Sequence, residues 1–474
     1  MRAQTKQLSD VIPLPASVRP VPAASFTIVS GTAVSAPPSA TAVAAHLAAH
    51  LAAKWDLPVG EGGAIRLVED SGLPAEAYRL EITSESVTLT GGTAQGLFWG
   101  VQTLLQLGPE LPGGVIEDAP RYAYRGAMLD LARHFFTADE VKAHIDLLVQ
   151  FKINHLHLHL TDDQGWRLEI PGWPLLTEVS GGEGTGVDGT GPGFLTLAEY
   201  ADVVAYAAER FVTIVPEIDM PGHVNAVQLA YPELTADGQP VSQRTDAEVG
   251  YSSLVAGKEE TYAFVEDVIK AVCDVTPGPY LHIGGDECHS TPPEDYRTFL
   301  ARVLPLPGKY GKRAIGWHEI AAADLPETAV VQYWRIEGDA PDVARAAAAG
   351  RQVIMAPADR TYLDMKYDPD TRLGLDWAGH VSVRRSYDWD PADRLPGVGE
   401  QALLGVEAPL WSETLRSVAD LQYLTFPRLP AIAEVAWSPR AARNWESFRT
   451  RLAAFGPRWE ATGVTFHRSP EIDW

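Results

Sequence analysis

Cysteine is nearly absent from this chain. Two residues, Cys273 and Cys288, stand among 474, which excludes a disulfide framework and leaves at most one bridge between them. Long apolar runs are missing as well. No stretch approaches the roughly 20 apolar residues that a membrane-spanning helix needs. The opening Met1-Arg2-Ala3-Gln4-Thr5-Lys6 has no apolar signal region, so the chain as it stands is expected in the cytoplasm, or outside the cell if its N-terminus was processed. Positive charge is scarce: 38 basic residues face 62 acidic ones, a net charge of −24. A nucleic-acid polyanion would be repelled over most of such a surface, and neither a nucleic acid nor a membrane is expected as a partner. A neutral substrate fits better.

With 46% hydrophobic and 21% charged residues, the chain can bury a large core and is long enough for more than one domain. Residues 1–119 alternate short strand-like and helical pieces. Strands are expected at 25–29 and 64–68, an alanine-rich helix over 41–55 and a hairpin from 78–82 and 86–90. A helix over 94–107 is then broken by Gly108-Pro109-Glu110-Leu111-Pro112-Gly113-Gly114. These pieces make a small α+β domain with no chemistry of its own.

Over residues 120–474 the rhythm changes to apolar strand, loop, helix. Strands are expected at 126–131, 153–160, 212–218, 280–284, 314–317, 330–334, 352–356 and 403–406, most followed by helical patterns such as 137–151, 197–210, 259–274 and 340–349. Eight strands alternating with helices predict a (β/α)8 TIM barrel, whose chemistry sits at the C-terminal ends of its strands.

Those ends are crowded with polar and aromatic residues. The first carries Asp130-Leu131-Ala132-Arg133-His134-Phe135, and the second Thr161-Asp162-Asp163-Gln164-Gly165-Trp166. The third carries Pro216-Glu217-Ile218-Asp219-Met220-Pro221-Gly222-His223, and the fourth His282-Ile283-Gly284-Gly285-Asp286-Glu287, where adjacent acids follow glycines that clear the backbone for a substrate. Trp317, Trp334 and Trp411 close strands five, six and eight, and Tyr362, Asp364 and Trp377 lie on the loop after strand seven. Indole rings beside carboxylates suit a sugar, whose C–H faces stack and whose hydroxyls bond to acids and Arg. Arg133 reads as a ligand contact or a structural ion pair, one of Asp162 and Asp163 as a loop cap, and Cys288 as a packing residue.

Two motifs point elsewhere. His155, His157 and His159 alternate on strand two and so face one side, which resembles a metal site; neutral imidazoles satisfied in a polar barrel interior give the same pattern. Gly184-Thr185-Gly186-Val187-Asp188-Gly189 matches the GxGxxG pattern, yet no strand leads directly into it and no helix opens at its last glycine, and it reads as a flexible loop that could serve as a lid.

Taken in order, the four strand-end blocks resemble those of the family 20 glycoside hydrolases, the β-N-acetylhexosaminidases, and the small first domain resembles the one that precedes the barrel there. The resemblance implies a retaining exo-enzyme that releases terminal non-reducing GlcNAc or GalNAc from β-linked glycans or chitooligosaccharides, with neither cofactor nor metal. It makes Glu287 the general acid/base and Asp286 the residue that orients the 2-acetamido group, so that the substrate's own amide oxygen attacks and an oxazolinium forms, a known exception to the two-carboxylate scheme. It makes Trp317, Trp334 and Trp411 the walls of the acetamido pocket and Tyr362 a donor to its carbonyl. Arg133 with Glu413 would hold ring hydroxyls, Asp364 the 4- and 6-hydroxyls, and Trp377 would flank the sugar. Asp162 with His223 would support Glu287. A metal-dependent hydrolase built on the three histidines and a catalytically silent glycan-binding protein remain the alternatives.

Overall fold

The computed structural model describes residues 6–52, 56–60, 62–336, 338 and 340–474. The first five residues of the expected signal-free N-terminus and the end of the expected helix, 53–55, lie outside them.

A six-stranded sheet comes first, in the order Ser17–Thr27, Glu110–Asp118, Tyr78–Ile82, Val87–Gly91, Ile65–Glu69, Val34–Ser35. Tyr78–Ile82 and Val87–Gly91 pair antiparallel as the expected hairpin, and the helices form over Thr41–Leu51 and Ala94–Leu107. Two strands depart from the sequence reading. Ser17–Thr27 is much longer than expected, because its prolines Pro20 and Pro22 sit on an edge strand beside an irregularity between Pro20 and Ser25, where a missing N–H does little harm. The glycine- and proline-rich break also holds more than a turn. Gly108, at φ 85, ends the helix, and Glu110–Asp118 then enters the sheet between two neighbours.

Eight parallel strands close the barrel: Tyr124–Asp130, His155–His159, Thr213–Glu217, Tyr280–His282, Arg313–Trp317, Val330–Tyr333, Gln352–Met355 and Leu403–Ala408. The outer helices Ala138–Val149 and Leu197–Ala208 each start with a capping box, Thr137 with Glu140 and Thr196 with Glu199, which satisfies backbone N–H groups that the first turn leaves unpaired. The lower barrel is apolar, filled by residues such as Tyr124, Val215, Ile315 and Ile354. Above them the interior turns polar, and that layer supports the rim. Among the described residues no helix is long and apolar enough to cross a membrane.

The sheet and the barrel are joined by buried charge. Lys152 donates to Asp118 Oδ2 at 3.0 Å and to the Tyr78 hydroxyl at 2.9 Å, while Trp437 Nε1 reaches the same carboxylate at 3.0 Å.

Candidate active site

The turn after the fourth barrel strand is built by its glycines. Gly284 and Gly285 adopt φ of 66° and 97°, and a methyl group on Gly284 would come within 1.7 Å of Asp219 Oδ1. Only glycine fits there. Asp219 Oδ1 in turn accepts from the Gly285 N–H at 3.1 Å. Glu287 follows with φ 45 and faces His223 at φ 57, left-handed conformations that ordinary residues hold only where the surroundings enforce them.

Asp286 and Glu287 border a cavity of about 280 Å³. Arg133, Asp162, His223, Asp364 and Glu413 supply its other charged groups, and Trp334, Tyr362, Trp377 and Trp411 its aromatic walls. The rings brace one another edge to face: Trp334 and Tyr362 meet Trp377 at 5.9 and 5.8 Å between centroids. Trp377 remains 47% exposed.

The electrostatics separate the two adjacent acids. Burial and the neighbouring Asp286 push Glu287 up to about 7, against the pull of His223 and Arg133, so near neutral pH it can give and take a proton. His223 Nε2 lies 3.6 Å from Glu287 Oε2 and 3.8 Å from Asp286 Oδ2, and its Nδ1 lies 3.1 Å from Asp162 Oδ1. Asp162 stays ionised despite its burial because Arg133 Nη2, at 2.8 Å, and His223 hold it far below the usual carboxylate range. Arg133 is thus both an ion-pair partner and a cavity residue. Among the described residues, Asp286 Oδ1, both oxygens of Asp364 and Glu413 Oε2 are buried with no hydrogen-bond partner, a costly arrangement unless a ligand supplies the donors. Burial and Glu413 raise the Asp364 carboxyl well above its ordinary value.

Residues 122–440 match the Glycosyl hydrolase family 20 catalytic domain, and residues 8–119 match domain 2 of the same family. The chain belongs to glycoside hydrolase family 20. It is a glycoside hydrolase of the β-hexosaminidase kind. It is 44% identical over 426 residues to a beta-N-acetylhexosaminidase of Cellulomonas fimi, which covers 87% of this chain and 86% of that one. A mutant beta-hexosaminidase of Streptomyces plicatus, solved in complex with the product GlcNAc, aligns with a TM-score of 0.97 at 49% identity over 100% of this chain and 99% of its own. The family 20 beta-N-acetylhexosaminidase of Streptomyces coelicolor A3(2) aligns with a TM-score of 0.96 at 47% identity over 100% of both chains.

Trp317, expected as a wall, does not line the cavity. It is fully buried, 5.8 Å from the Trp411 ring, with its indole N–H on Glu217 Oε1 at 2.8 Å. The histidines of the second strand are not uniformly neutral. Burial lowers His155 to about 3, and it stacks on Tyr124 at 4.0 Å. Facing carboxylates overcome burial and raise His157 to about 9 and His159 to about 10. Among the described residues, no cluster of three ligand atoms within 4.8 Å contains more than one of these three histidines, so the expected alternative metal site is not assembled from them. Asp163 takes the loop-capping part, accepting from Asn225 N–H and Ser252 Oγ at 2.9 and 2.6 Å. The glycine loop is tied down by Gly186 N–H on Gln164 O and Val187 N–H on Arg133 O, both 2.8 Å; it backs the first two strand ends. Both cysteines are free, and the Cys288 thiol donates to Asp286 O at 3.1 Å.

Glu319, Asp219 and Glu217 were not singled out as site residues from the sequence. Glu319 accepts from Trp334 Nε1 at 3.2 Å, and burial with Asp286 pushes it up to about 8. Its place two residues after a strand-end Trp was a usable signal. Ala247 and Val249, which also line the cavity, come from an irregular segment that carries no such signal. A second cavity, about 540 Å³, opens on the other side of Glu287 and shares Trp334 with the first.

Proposed function

We propose that this family 20 enzyme is a retaining exo-β-N-acetylhexosaminidase, which removes terminal non-reducing GlcNAc or GalNAc by way of an oxazolinium intermediate. The observation that carries this reading is the pair Asp286–Glu287. One acid is raised to about 7, the other keeps an oxygen unpaired, and both follow one strand, an awkward arrangement for two carboxylates acting from opposite sides of a sugar.

In the first step Glu287 gives its proton to the glycosidic oxygen as the C1–O bond breaks, and the acetamido carbonyl oxygen forms a bond to C1. Asp286 accepts the amide N–H and offsets the positive charge that spreads over the ring so formed. Tyr362 donates to the carbonyl oxygen, while Trp334 and Trp411 exclude water and hold the amide beneath C1, a placement that can be worth effective molarities of roughly 10⁵ to 10⁸ M. The leaving group departs toward the larger cavity. Glu287, now a carboxylate, takes a proton from water as its oxygen bonds C1 and the oxazolinium opens. Two inversions give net retention.

Hydrolysis of aryl β-GlcNAc, β-GalNAc and β-glucoside tests this reading. Turnover of the two acetamido sugars is expected, with no comparable rate on the glucoside, which lacks the internal nucleophile. An efficient β-glucosidase activity would contradict it.

A further inference from the structure

The charged contacts that begin at Glu287 do not stop at Asp162. Below it, inside the barrel and out of reach of any substrate, Asp162 Oδ2 receives His159 Nε2 at 2.8 Å beside the Arg133 contact. The other ring nitrogen of His159 lies 2.5 Å from Glu217 Oε2. Glu217 Oε1 receives the Trp317 indole N–H at 2.8 Å, and His157 Nε2 comes within 3.0 Å of Glu217 Oε2. His159 and Glu217 are completely buried. An imidazole held between two ionised carboxylates satisfies both only with a proton on each nitrogen, so this geometry, with Asp162 and Glu217 both charged, selects the imidazolium.

We propose that His159 and Glu217 are positioning residues for the glycosidase reaction. Glu217 fixes His159 as a cation that, beside Arg133, balances Asp162, Asp162 then holds His223 toward Glu287, and Trp317 carries the same anchor up to Trp411 in the cavity wall. This rests on Glu287 being the acid/base of the proposed function. The charge states agree with the geometry: burial lowers His159, yet Glu217 and Asp162 raise it to about 10, and the cations around Glu217 keep it ionised in spite of its burial. A purely structural cluster would be equally well buried, but it would not govern a proton at Glu287.

The groups facing Glu287 are Asp286, His223, Arg133 and Asp162, with Glu319 across the larger cavity. Those facing His159 are Glu217, Asp162 and Asp219, with Arg133 on the same Asp162 oxygen, His157 on the same Glu217 oxygen and the Trp411 ring at its edge. His159→Asn removes a positive charge from this set and leaves Asp162 less balanced. The field at Glu287 becomes more negative, its pKa rises, and the descending limb of kcat/KM moves to higher pH.

The test measures pH profiles of wild type and His159→Asn on aryl β-GlcNAc substrates with a good and a poor leaving group. Expected is the upward move of the limb, together with a loss on the poor leaving group larger than on the good one and within the roughly 10²- to 10⁴-fold that a general acid contributes. Equal losses with an unmoved limb would overturn the proposal. Neutron diffraction on the wild-type protein gives a readout that needs no variant to fold: deuterons on both ring nitrogens of His159 are expected, and a deuteron on only one would overturn it. Wild-type inactivity on aryl β-GlcNAc would instead overturn the functional reading, whereas an active wild type with an unresponsive variant overturns this inference alone.

Discussion

Glu287 owes its working range to neighbours rather than to its own chemistry. Burial and Asp286 raise it to about 7, and the protonated form is the one that can release the leaving group, so kcat/KM is expected to fall as pH rises through about 7. A pH–rate profile whose descending limb lies at the ordinary carboxylate range would contradict that. The same shift has a sign for stability. A carboxyl raised on folding binds more protons in the folded state, so its contribution is present at acid pH and lost as pH climbs from the usual value toward 7. Glu287→Gln keeps the shape and removes the proton; it should cost roughly 10²- to 10⁴-fold on poor leaving groups and less on activated aryl ones. Equal small losses on both would remove Glu287 from the role.

At the level of elements, the reaction depends on one turn. Gly284→Ala would place a methyl group 1.7 Å from Asp219 Oδ1, an overlap that cannot stand, and the φ of 66° alone costs a side-chain-bearing residue about 1–3 kcal/mol. The turn must move to relieve it, carrying Asp286 with it, so kcat should drop more than the melting temperature alone accounts for; unchanged kcat in a folded variant would show that the turn's geometry is not needed. Such a turn was legible in the sequence because two glycines before two acids at the end of an apolar run have few other uses. The eight barrel strands were legible for a similar reason, since burial on both faces leaves short runs rich in apolar residues, interrupted only by polar side chains of the upper interior such as His157, Glu217, Gln332 and Glu407. The edge strand Ser17–Thr27 was hidden by its prolines, and Glu110–Asp118 by glycines that look like punctuation. The burial of Trp317 was also out of reach: alternation tells which way a side chain points, but not how far its ring lies from the cavity.

Over the whole molecule, two features carry consequences. The sheet is joined to the barrel through Lys152 and Asp118, both buried, so Lys152→Ala should leave Asp118 uncompensated and cost about 3–5 kcal/mol in denaturant unfolding. A change near zero would mean that water or another cation reaches that carboxylate. The net charge of −24 should matter little to a neutral glycan, and kcat/KM on a chitooligosaccharide is expected to change by less than about twofold across ordinary salt concentrations, where charge steering would be screened. The central claim is that the substrate's own acetamido oxygen is the nucleophile. Its most direct test is kcat/KM on aryl β-GlcNAc substrates whose acetamido methyl carries none, one, two and then three fluorines, each of which makes the carbonyl oxygen a poorer nucleophile. The account predicts a steep fall with every fluorine added, and a flat series would contradict it.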